Sequence, residues 1–225
     1  MLSSQSLCSS SELEFTVIAG LCKLRGTKYV DPSFSVLANP RGCLFINADN
    51  PNPEIPIPPK WLRPTDLSSD PQLFVDGVLA GDIQQGAVGT CYLLGALASL
   101  SAHTGHLESI FVAHDFEAGV VAVRFFNHNS WKYVIIDDII GCNEDGSIAY
   151  SHCKDKNEFW LPLIEKAWAK LHGCYEYTHY GHTHHALMDM TGGCNDEVGH
   201  LQLVAPLLCP SAACCTLPRL LSRCL

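Results

Sequence analysis

Residues 157–173, NEFWLPLIEKAWAKLHG, leave the backbone little choice. Trp160, Leu163, Ile164, Ala167, Trp168 and Leu171 recur at helical spacing, Pro162 is tolerable only in a first turn, and Gly173 suits the C-terminal cap. Upstream, GVVAVRFFNHNSWKYVIIDD holds two β-branched and aromatic runs separated by NHNS, which predicts an antiparallel hairpin over about residues 119–137. A turn signal, NEDGS, follows it. At 225 residues and 47% hydrophobic the chain can bury a real core and suits one large domain or one domain plus fragments.

Around this body, covering residues 66–193, lie two segments of different character. Residues 1–65 form an N-terminal segment and a strap. In SELEFTVIAGLCKLRG, Ser11 is placed to cap a short helix and Gly26 to stop it. NPNPEIPIPPKWLRPT is too rich in proline for helix or central strand and is predicted to cross the surface extended, pinned by Trp61. Residues 194–225 read as an irregular, divergent tail: no acidic residue follows Glu197, and LQLVAPLLCPSAACCTLPRLLSRCL holds three prolines and four cysteines. An alternative exon, intron read-through or a frameshift would each explain that change.

The net charge of −9, with no basic run interleaved with aromatics, argues against nucleic-acid binding. The opening MLSSQSLCSSSELEF has no signal-peptide pattern, and no apolar run reaches the roughly 18–20 residues of a transmembrane segment. A cytoplasmic, reducing setting is the expectation. There most of the twelve cysteines are small buried hydrophobes, no CxxC pair with zinc spacing exists, and the question becomes which thiol is reactive.

QQGAVGTCYLLGALASL, residues 84–100, singles out Cys91. Gly86 and Gly89 allow a tight turn, and the apolar helix that follows directs unsatisfied N–H groups and its positive end toward the sulfur, favouring thiolate. Gln85, six residues upstream, is placed to donate an amide proton to a developing oxyanion, beside the Cys91 backbone N–H. On spacing alone, an ordinary buried cysteine at a helix start is the preferred reading, because one Gln-x5-Cys match is a weak signal.

The stretch QGAVGTCYLLGALASL resembles the nucleophile segment of the calpain family of calcium-dependent cysteine proteases, whose pattern is Gln-Gly-x-x-Gly-Asp-Cys-Trp before an apolar helix. KYVDPSF, WLRP, WKYVIIDD, NEFWLPLIEKAWAKLHGCYE and MDMTGG resemble further family segments in the family's order, over about residues 22–193. The resemblance implies an α+β, papain-like fold, mainly its helical subdomain with a small hairpin. It places Cys91 on the nucleophile and Gln85 on the oxyanion-hole glutamine. Thr90 stands where the family has Asp, and Tyr92 where it has Trp, which makes the local charge less negative and the aromatic platform smaller.

The same resemblance implies calcium, held by the carbonyls of Val75 and Gly77 and the carboxylates of Asp82 and Glu158, hard oxygen ligands of the kind the ion requires. Read without it, Asp82 caps a turn and Glu158 sits in a first helical turn. Asp137, Asp138 and NEDG read as solvated turn acids rather than ligands.

A papain-type protease also needs a histidine to take the thiol proton and an asparagine to orient it. The family's GHAY-like and NPWG-like motifs are missing. Gly199-His200 is followed by Leu-Gln, has no Asn downstream and reads as chance. The resulting expectation is a truncated calpain-like, calcium-dependent endopeptidase acting on protein substrates, which would need a missing second subdomain or a full-length protease as partner. The alternative is a non-catalytic binding or regulatory protein. An exposed face where a second subdomain should pack predicts association of the isolated chain. His179, His182, His184 and His185 in THYGHTHH offer zinc- or copper-binding spacing, against a His-rich surface loop.

Overall fold

The computed structural model describes residues 5–193. Its elements run α1 (Gln5–Arg25), α2 (Pro40–Leu44), β1 (Lys60–Leu62), α3 (Pro64–Leu67), β2 (Ile83–Gln84), α4 (Cys91–Ser101), β3 (Phe111–Asp115), β4 (Val120–Asn127), β5 (Ser130–Asp137), β6 (Ile140–Cys142), β7 (His152–Cys153), α5 (Trp160–His172) and α6 (Thr183–Thr191). The architecture is α+β: helices pack around an antiparallel β3-β4-β5 sheet, with two-stranded pairs β1-β6 and β2-β7 beside it. Among the described residues, no helix is long and apolar enough to cross a membrane.

The predicted hairpin is β4 and β5, paired from Val120↔Asp137 to Asn127↔Ser130. His128 and Asn129 turn it with φ of 50° and 57°, the doubly left-handed turn whose twist matches that of the strands. β3 extends the hairpin to three strands. The VVAVRFF run is apolar at nearly every position because the sheet is covered on both faces. Val121, Val123 and Phe125 join the main core with α4, α5 and α6, whereas Val120 and Ala122 pack with Ala19 of α1.

α5 occupies its predicted span, with Pro162 in the first turn and Gly173 ending it at φ 109°. Its apolar stripe is only part of what it buries, since Glu165 and Lys166 are each 1% exposed. α1 corrects the expected short helix: it begins before Ser11, which lies inside it instead of capping it, while Gly26 does end it with φ 62°. Burial of Ala19 against the sheet, with Phe15, Ile18 and Cys22 packed beside it, fixes that length, which no local cap signal reveals.

The strap contributes Ile55 to a second core with Phe34, Val88, Tyr150 and Tyr175, and Trp61 packs against it half-buried. Lys60–Leu62 pairs with β6, a short edge contact compatible with its prolines. NEDGS makes the predicted turn: Asn143 N–H donates to Ser147 O at 2.8 Å and Gly146 has φ 86°.

Asp137 and Asp138 overturn their reading as solvated turn acids. Both are fully buried, Asp137 paired with Lys166 and Asp138 with Arg63. Asp31, also fully buried, donates its amide to Asp137 at 2.8 Å and accepts from Lys170 Nζ at 2.6 Å. These pairs join the N-terminal segment, the strap, the hairpin end and α5. Residues 194–225, including Gly199-His200, lie outside the described residues.

Candidate active site

Cys91 is the first residue of α4 and its side chain is exposed. The rest of the helix explains this placement. Leu93, Leu94, Ala96, Leu97 and Leu100 are buried and fix which face turns inward, leaving the first residue at the surface. The four buried cysteines with described side chains differ chemically: burial pushes the thiols of Cys43 and Cys142 up to about 11 and raises those of Cys153 and Cys174.

Thr90 precedes the helix without capping it by its side chain. Its hydroxyl donates instead to Glu165 Oε1 at 2.6 Å. Ser151 completes the arrangement, its hydroxyl donating to the same oxygen at 2.7 Å and its amide to Oε2 at 2.9 Å. Burial pushes the Glu165 carboxyl up, and the hydrogen bonds from Thr90 and Ser151 oppose that. Because Thr90 is engaged here, its side chain does not cap α4, and among the described residues no side chain accepts from the first amides of the helix, which leaves donors beside Cys91. The loss of negative charge expected from Thr90 in place of Asp is thus accompanied by a buried carboxyl group on α5, behind the helix tip.

The loop before Cys91 is held by backbone contacts. A Cβ on Gly86 would stand 2.1 Å from the carbonyl carbon of Tyr150, so only glycine permits this approach. Ala87 N–H donates to Ala149 O at 3.2 Å, and Gly89 N–H donates to His179 Nδ1 at 2.9 Å. Gln85 lies exposed on the same loop, with its Nε2 donating to Val88 O at 3.4 Å. Tyr92 accepts from Trp168 Nε1 at 3.1 Å, tying α4 to α5, and Gly181 lies against its ring.

The four residues assigned to calcium fall in two segments that pack together. Glu158, 2% exposed, accepts Val75 N–H on Oε1 at 3.1 Å, and Asp82 Oδ2 accepts Leu79 N–H at 3.2 Å. Burial, and less strongly the charge of Asp82, raises the Glu158 carboxyl pKa, so the two acids lie close enough to repel. Gly77 has φ 89°, and among the described residues the Val75 and Gly77 carbonyls accept no hydrogen bond. Two hard carbonyl donors and two mutually repelling carboxylates are chemically suited to calcium. Among the described residues no three His, Cys, Asp or Glu side chains gather to hold a metal, so the carbonyls would be indispensable.

That result also bears on the histidine-rich segment. His182, His184 and His185 do not form a metal group; they lie at the start of α6, a helix where a loop was expected. Their rings pack on one another, His184 and His185 with centroids 4.2 Å apart. Sequence reasoning missed Glu165, Ser151, His179 and Glu54 as parts of this site. Nothing local marked them, since α5 also carries Lys170 and His172 and its charged residues read as a solvent-facing stripe.

The arrangement defines an α+β protein that presents a free thiol at the N-terminal tip of a buried helix. A model of the calpain family of cysteine proteases matches residues 29–210, and the chain belongs to that family. It is 38% identical to Calpain-B of Drosophila melanogaster over 189 residues, which cover 82% of this chain and 20% of that protein. Calpain-A of the same organism is 37% identical over 198 residues, 86% of this chain and 23% of the relative. The Calpain-2 catalytic subunit of Homo sapiens is 33% identical over 184 residues, 80% and 26% respectively. The chain therefore spans about a quarter or less of the length of these relatives.

Proposed function

We propose that this chain is the nucleophile-bearing part of a papain-like, calcium-dependent cysteine endopeptidase core. The observation that carries the reading is the exposed sulfur of Cys91 at the tip of α4, on a loop braced by Tyr150, His179 and Glu165. In this mechanism the Cys91 thiolate attacks a peptide carbonyl carbon. The carbon–sulfur bond forms, the carbonyl oxygen takes the negative charge, and the uncapped first amides of α4 with Gln85 stabilise it. The C–N bond then breaks, the amine leaves with a proton, and water releases the acyl group. Gln85 must turn from Val88 O to reach that oxygen.

The proton acceptor comes from elsewhere in this reading, since among the described residues no imidazole is hydrogen-bonded to Cys91. Val75, Gly77, Asp82 and Glu158 would hold calcium. When bound, the ion offsets the repulsion between the two acids and favours one arrangement of the segments that carry them. The substrates are proteins, and the natural setting of the chain is the reducing cytoplasm.

Peptide cleavage tests this. The chain is assayed in calcium, alone and with the base-bearing remainder of a calpain core added in trans. Turnover is expected in the supplemented reaction, falling to background with Cys91→Ala or on chelation of calcium. If the supplemented reaction shows no turnover that depends on Cys91, the chain is a binding protein.

A further inference from the structure

His179 sits beside the nucleophile loop yet has no part in the chemistry just described. Gly89 N–H donates to its Nδ1 at 2.9 Å, so that nitrogen carries no proton. The ring proton is therefore on Nε2, which donates to Glu54 Oε2 of the strap at 3.0 Å. With one nitrogen accepting an amide and the other bonded to a carboxylate, this imidazole has no site left to take the Cys91 proton. Its action is on the loop.

We propose that His179 is a positioning residue for the nucleophile: a neutral imidazole, fixed in one tautomer by Glu54, that holds the Gly89 amide two residues before Cys91. Tyr180 N–H donates to Gly89 O at 3.0 Å, so consecutive residues claim both backbone groups of Gly89. The histidine side chain is only 8% exposed, which keeps water from replacing it. A Cβ on Gly89 would meet His179 Cε1 and Nδ1 at 3.0 Å and Tyr180 Cε1 at 3.3 Å, so the rings pack directly on the backbone. His179 is anchored in turn by its own amide, which donates to Glu176 O at 3.1 Å. The next residue of the loop, Thr90, is pinned to Glu165. Cys91 is thus set by a histidine–carboxylate pair on one side and a buried carboxyl group on the other. The functional weight of this inference rests on Cys91 being the nucleophile.

The test uses the whole chain and three readouts: the imidazole nitrogen resonances of His179, hydrogen exchange of the Gly89 amide, and the rate at which iodoacetamide alkylates Cys91. The wild-type chain shows Nδ1 bare and Nε2 protonated. His179→Ala speeds Gly89 exchange by about threefold to tenfold, the worth of one hydrogen bond, and slows alkylation of Cys91. His179→Asn, whose Oδ1 takes the place of Nδ1, restores both toward wild type although it loses Glu54. A protonated Nδ1 in the wild type, unchanged exchange and alkylation in His179→Ala, or no recovery in His179→Asn would overturn the proposal. The nitrogen and amide readouts do not depend on catalysis. If they come out as expected while cleavage independent of Cys91 is found, the protease reading alone fails.

Discussion

Lys166→Met lowers the unfolding free energy by about 3–5 kcal/mol, the cost of removing one partner from a buried ion pair. Lys166 is 1% exposed, and its Nζ bonds to Asp137 Oδ1 and, at 2.7 Å, to Ile139 O. Burial pushes its pKa down, while the charges of Asp137, Asp31 and Asp138 oppose that. Methionine fills much of the space but leaves Asp137 buried without its cation. The amides of Asp31 and Ile139, donating to Asp137 at 2.8 and 3.1 Å, offset only part of that cost. Adding Asp137→Asn recovers part of the loss, because asparagine keeps an acceptor without the charge. Urea unfolding of the single and double variants measures both. A single variant within about 1 kcal/mol of wild type would show that the pair contributes little, as exposed pairs do.

Gly86→Ala acts on the site itself. The added methyl would lie 2.1, 2.2 and 2.4 Å from the carbonyl carbon, carbonyl oxygen and Cα of Tyr150. These are backbone atoms of a buried residue whose hydroxyl donates to Pro56 O at 2.8 Å, so neither side yields without moving the loop or the second core. A displacement of about 1 Å at a reacting centre costs on the order of 10²-fold in rate, and the expected result is that the Cys91-dependent cleavage proposed for the supplemented reaction falls by that factor in Gly86→Ala. Gly81→Ala is the control, with nothing within 4 Å of its added carbon. Gly89→Ala is intermediate, since it meets ring atoms that can shift. Equal cleavage by the Gly86 and Gly81 variants would remove the argument that the loop's close approach to Tyr150 sets the nucleophile.

What the sequence conveyed about this molecule was local. The period of Trp160 to Leu171, the β-branched runs around NHNS and the glycines before Cys91 each report on a few neighbouring residues, and each matches an element of the structure. The exposure of Cys91 was not legible in this way, because a buried cysteine at a helix start has the same local spacing. What else was not legible depends on pairing across the chain. Thr90 meets Glu165 at a separation of 75 residues, Gly89 meets His179 at 90, and Glu54 meets His179 at 125. An amphipathic reading of α5 turns Glu165 and Lys166 to solvent; partners from the loop and the hairpin end allow both to be buried. Asp137 and Asp138 were misread for the same reason, because a turn acid and a buried ion pair look alike until the cation arrives from elsewhere.

Covalent labelling tests the central claim most directly. The whole chain is treated at neutral pH with a peptidyl chloromethyl ketone, whose electrophilic carbon is delivered on a peptide, and the modified residue is mapped by mass spectrometry. Among the six cysteines with described side chains, Cys91 takes the label first, and Cys43, Cys142, Cys153 and Cys174, sealed by burial, stay unmodified. Labelling of Cys22 or of the buried thiols while Cys91 stays free would contradict the claim that this protein presents Cys91 as its nucleophile.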